Sequence, residues 1–78
     1  MYVAHYLNSD SILLINQTGQ IRKLYCPFRV KCITPIDGFS KGMQLWVESV
    51  VKEDETRLIY LVLDRFYEHS NFEIIAFF

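Results

Sequence analysis

The sequence predicts an all-β fold, a small antiparallel domain of about five to seven strands. Three observations carry that prediction. Turn residues recur at short intervals: Asn8-Ser9-Asp10, Asn16-Gln17-Thr18-Gly19, Pro27, Pro35-Ile36-Asp37-Gly38, Lys41-Gly42, Lys52-Glu53-Asp54-Glu55-Thr56 and His69-Ser70-Asn71. The stretches between them are rich in Val, Ile, Leu, Tyr and Phe, which pack well on a pleated, half-buried surface. No window sustains apolar residues at i, i+3 and i+4, so long helices are not expected.

The strongest single signal is the hairpin of residues 44–62. Two β-prone runs flank the charged loop at residues 52–56. In the first run Met43, Leu45, Val47, Ser49 and Val51 share one parity and are expected on the core face, because side chains alternate along a strand. Trp46 has the other parity and is expected to face outward beside Glu48. In the second run Leu58, Tyr60 and Val62 on one parity, and Ile59, Leu61 and Leu63 on the other, are all apolar. That pattern predicts a central strand covered on both faces.

Residues 23–33 alternate most clearly. Leu24, Cys26, Phe28, Val30 and Cys32 should line the core, leaving Lys23, Tyr25, Arg29 and Lys31 to solvent. Pro27 has no N–H to give to a ladder, so a kink and a change of strand partner are expected there. Along a continuous strand Cys26 and Cys32 would lie ~20 Å apart. A disulfide needs less than about 7 Å, so both are read as reduced, buried thiols.

Residues 65–71 suit a single 3₁₀ turn, and residues 72–78 a final strand apolar on both parities. The order of long loop, strand, tight hairpin, strand, one-turn helix and last strand over residues 28–77 resembles a partly open SH3-like barrel. The resemblance is architectural, because the aromatic-acidic motifs and the adjacent tryptophan pair of SH3 domains are missing.

Seventy-eight residues are read as one domain, residues 1–78. A hydrophobic fraction of 51 % is generous for a chain this small, since such domains bury only about 60 % of their extended surface. That surplus points to a partner. The N-terminus lacks a basic region followed by a long apolar run. The longest apolar run, residues 58–63, is far short of the roughly 20 residues a membrane helix needs. A cytoplasmic protein with no membrane association is expected. Net charge is −1, yet residues 1–42 carry five bases against two acids and residues 43–78 carry three against seven. This split of +3 and −4 favours association between unlike patches, including self-association.

For catalysis the inventory is thin: no nucleophile elbow, phosphate loop or zinc-protease motif. His5, His69, Cys26 and Cys32 have no metal-ligand spacing, and no cofactor is expected. The acids Glu53, Asp54 and Glu55 read as a solvated hairpin tip. Glu68 and His69 read as a local surface contact rather than an acid–base pair.

Two binding surfaces remain. Trp46, Tyr60, Tyr67 and Phe39 are the candidate anchors of a protein-binding surface, because aromatics dominate interface energetics. Arg22, Lys23, Tyr25, Arg29 and Lys31 form the alternative, a basic stripe with one aromatic for single-stranded nucleic acid. The leading expectation is a non-enzymatic interaction module that binds a protein partner or itself. Single-stranded nucleic-acid binding through residues 22–31 is the second.

Overall fold

The computed structural model describes residues 2–76. Nine strands are found among them, arranged as three antiparallel sheets of three strands each. The first sheet has the order β1 (Val3–Asn8), β2 (Ser11–Ile15), β3 (Ile21–Tyr25). The second holds β4 (Phe28–Cys32) between β5 (Gln44–Val47) and β9 (Phe72–Ile74). The third holds β7 (Leu58–Val62) between β6 (Ser49–Lys52) and β8 (Arg65–Glu68). No sheet closes on itself among the described residues.

There are more strands than the sequence suggests because runs that read as continuous are interrupted. At Pro27, which lacks a ladder donor, the chain leaves β3 in the first sheet and enters β4 in the second. At Glu48 it passes from the second sheet to the third, and the Glu48 N–H bonds the Leu61 carbonyl at 2.8 Å. The Glu48 interruption resets the two-residue alternation. Leu45 and Val47 are buried, but the next core residue is Val50, not Val51. Met43 and Val51, expected in the core, are 44 % and 45 % exposed.

Only the second half of residues 65–71 forms the expected 3₁₀ turn, His69–Asn71. The first half pairs with β7 as β8. A two-residue turn at Leu63 and Asp64 permits this, with φ of 49° and 62°. Left-handed backbone at both positions matches the twist of a tight hairpin.

The core lies where the three sheets meet. Phe28, Val30 and Cys32 face it from β4, Leu45 and Val47 from β5, and Leu58, Tyr60 and Val62 from β7. Ile12, Val50, Tyr67 and Phe72 complete it, with Leu24 and Cys26 packed at its margin. The inward parity of residues 24–32 is therefore as the alternation predicts. Edge-to-face aromatic pairs join the sheets, Phe28 to Tyr60 at 5.5 Å and Tyr67 to Phe72 at 6.0 Å. Both cysteines are free thiols.

The C-terminal strand is paired, as its apolar character requires. Val30, Lys31 and Cys32 of β4 face Ile74, Glu73 and Phe72, and the Ile75 N–H bonds the Arg29 carbonyl at 3.0 Å. Phe77 and Phe78, the end of the expected strand, lie outside the described residues. Among the described residues no helix is long and apolar enough to cross a membrane.

Candidate interaction surfaces

Trp46 is placed as its parity predicts, on the outer face of the second sheet and 54 % exposed. Its partner across the β4–β5 ladder is Arg29. The Arg29 guanidinium sits 5.3 Å from the Trp46 ring centre and donates to Gln44 Oε1 at 3.1 Å. The cation is thus held over one side of the indole by the ladder and by a side-chain bond. A shallow hollow beside the ring is lined by Pro27, Trp46 and Glu48.

The other three candidate anchors do not join Trp46. Tyr60 and Tyr67 are cross-strand partners on β7 and β8, so they share one face, and that face is the core. They are 1 % and 7 % exposed. Burial pushes the Tyr60 phenol well above its usual range, so it stays neutral. Phe39 is half-buried, packed on Tyr67 at 5.4 Å and Phe72 at 6.5 Å. The sequence gives no parity across the turn at Leu63 and Asp64, and this hid the inward side of Tyr67.

The basic residues also separate. Lys23 and Tyr25 lie on the outer face of β3, with the Lys23 ammonium 4.8 Å from the Tyr25 ring centre. Arg22 has the opposite parity, across the ladder from Leu14. Arg29 and Lys31 belong to the second sheet, where Lys31 is half-buried between Gln44 and Glu73. The break at Pro27 divides the stripe into two cation–aromatic pairs, Lys23 with Tyr25 and Arg29 with Trp46.

A further apolar surface lies on the third sheet. On the outer face of the third sheet, Val51, Ile59 and Glu68 form one cross-strand row and Ser49, Leu61 and Phe66 the next. Phe66 is 63 % exposed, Leu63 at the adjacent turn is also exposed, and Ile59 and Leu61 are only half-buried. The signal was present in the two apolar parities of residues 58–63. Those parities predict a strand covered on both faces, whereas the outer one, Ile59 and Leu61, is only half-buried and the inner one is fully buried.

The charged groups form ordinary surface contacts. Arg57 pairs with Glu68 at 3.1 Å and Glu53 at 3.4 Å, and Lys52 with Glu55 at 3.5 Å. The Asp54 carboxylate accepts the Thr56 N–H at 2.9 Å and its hydroxyl at 3.1 Å. Chiefly through that backbone bond it is held below the usual carboxylate range. Glu68 also accepts the Ser70 hydroxyl, while His69 Nδ1 lies 3.1 Å from both the Leu58 N and O atoms. Burial, then the Asp10 carboxylate, pushes the Cys26 thiol up, away from the reactive thiolate. Among the described residues no three His, Cys, Asp or Glu side chains are grouped to hold a metal ion.

Comparison with models of protein families, with curated proteins and with solved structures finds no match to this chain.

Proposed function

We propose that this protein is a non-enzymatic interaction module that binds a protein partner, or a second copy of itself, through its outer sheet faces. One observation carries the reading: the outer face of β6, β7 and β8 presents exposed Val51 and Phe66 beside half-buried Ile59 and Leu61. Contiguous apolar surface of this kind, rimmed by Arg57 and Glu68, is characteristic of contact sites. Trp46 with Arg29 is a second anchor, an aromatic fixed on a strand at low entropic cost. The order of hairpin, 3₁₀ turn and last strand supports an SH3-like, partly open frame beneath these faces. The two free thiols support a reducing compartment such as the cytoplasm.

The test is sedimentation equilibrium combined with capture of partners on the immobilised chain. Phe66→Ser and Trp46→Ala should keep the far-UV circular dichroism of the wild type. At least one of them should lose self-association or the captured partner. Wild-type protein that stays monomeric at high micromolar concentration and retains no partner overturns the reading.

The two cation–aromatic pairs favour a second reading, single-stranded nucleic-acid binding, with Tyr25 and Trp46 as stacking platforms beside Lys23 and Arg29. It requires affinity for an oligothymidylate that falls steeply with salt. No binding at low salt removes it.

A further inference from the structure

A groove of about 800 Å³ opens between the first sheet and the rest of the molecule. Residues 2–6, mostly β1, form one wall, and residues 72–74, the whole of β9, form another. Side chains of consecutive strand residues point to opposite faces. A run of neighbours lining one groove therefore means that the strand edge itself lines it. Among the described residues β1 pairs with β2 alone and β9 with β4 alone. Among them no further backbone bond reaches the outward N–H and C=O groups of residues 3–7, and on β9 the Phe72 N–H alone is taken, by the His69 carbonyl of the 3₁₀ turn.

The floor between these edges is apolar, made by the buried side chains of Leu58, Tyr60 and Phe72. Lys52, Glu55 and Glu73 supply charges of both signs at the rim. The Tyr2 hydroxyl donates to the Ala76 carbonyl, tying the start of β1 to the chain just beyond β9. The walls are thus linked to each other without any backbone pairing between them.

We propose that this groove receives an extended peptide segment of a protein partner, which adds as a strand to the edge of β1 or β9. The walls select this chemistry. A small apolar ligand or a helix would bury the edge donors and acceptors without partners, which is unfavourable. An extended backbone presents the complementary groups at the same spacing. Residues 2–6 match a segment of about five residues, ~17 Å long. Its alternate side chains would be apolar where they meet Leu58, Tyr60 and Phe72, and of either charge where they pass the rim. The groove is distinct from the Trp46 and Phe66 faces, which are the outward surfaces of the second and third sheets and do not line it.

The test uses the isotopically labelled full chain and two alternating hexapeptides, acetyl-Lys-Val-Thr-Val-Lys-Val amide and acetyl-Glu-Val-Thr-Val-Glu-Val amide. At least one should shift amide resonances of residues 2–6 and 72–74 and slow exchange at alternate amides of one edge about tenfold or more. N-methylation of alternate peptide nitrogens should weaken binding by about tenfold or more, because it removes ladder donors. Trp46→Ala and Phe66→Ser should bind these peptides as the wild type does, which separates this site from the faces proposed above. Absence of shifts with both peptides at millimolar concentration overturns the proposal. So do shifts confined to the Trp46 or Phe66 face, or equal binding of the N-methylated peptides.

Discussion

The Arg29 guanidinium lies 5.3 Å from the centre of the Trp46 ring, its partner directly across the β4–β5 ladder. At an exposed site such a contact contributes ~0.5–1 kcal/mol. A double-mutant cycle of Arg29→Ala and Trp46→Ala should give a coupling of that size in urea unfolding. Trp46 is the chain's single tryptophan, so the tryptophan emission reports the surroundings of this ring. Arg29→Ala should change the emission while leaving the far-UV spectrum unaltered.

Tyr60 and Trp46 should differ sharply on truncation. Tyr60 is 1 % exposed, set edge-to-face against Phe28 and 6.3 Å from Phe72. Removing a buried aromatic costs ~3–5 kcal/mol, a large share of the stability of a small domain. Tyr60→Ala should be largely unfolded or have a much lower urea midpoint. Trp46→Ala, on the surface, should lose no more than ~1 kcal/mol. Equal losses would show that Trp46 packs as a core residue.

Alkaline pH should destabilise the fold. Burial, then Cys26, raises the Tyr60 phenol above its ordinary value of 10.0. Burial, then Asp37, raises that of Tyr67. The folded state therefore holds these protons more tightly than the unfolded state does. The stabilisation is complete below pH about 10 and is lost as pH rises beyond it. The raised Cys26 thiol adds a similar loss beginning near its ordinary value of 9.0. Urea midpoints measured from pH about 8 to about 11 should fall. Tyr60→Phe, which has no phenol to ionise, should flatten the upper part of that slope.

The turn between β7 and β8 is open to improvement. Leu63 and Asp64 both adopt left-handed backbone, and the Leu63 side chain is exposed. That conformation costs an L-residue ~1–2 kcal/mol, and Asn-Gly is the pair best suited to it. Leu63→Asn combined with Asp64→Gly should stabilise the protein by ~1 kcal/mol or more, read as a higher urea midpoint. A lower midpoint would mean that the Leu63 side chain contributes more than its backbone costs.

Local chemistry made much of this chain legible. The β class followed from turn spacing and composition, the inward side of residues 24–32 from strict alternation, and the change of partner at Pro27 from its missing N–H. The outward position of Trp46 followed from parity alone. Parity stopped working where an interruption left no chemical mark. Glu48 is neither Gly nor Pro, so the shift from Val47 to Val50 on the core face could not be read. Leu63 and Asp64 are poor turn residues, so β7 and β8 looked like one strand running into a helical turn. That turn conceals the inward side of Tyr67, while Tyr60 lies in a run apolar on both parities, which leaves its side undecided.

What the sequence determined by itself was which segments extend and which side of each strand is apolar, because those depend on neighbours a few positions away. Tertiary structure decided how three small sheets share one core, which apolar faces stay partly exposed, and that the outer edges of β1 and β9 face one groove. Those features depend on contacts between residues far apart in the chain. The outer face with Val51, Ile59, Leu61 and Phe66 is an example: its residues come from three strands, and only their pairing makes them a surface.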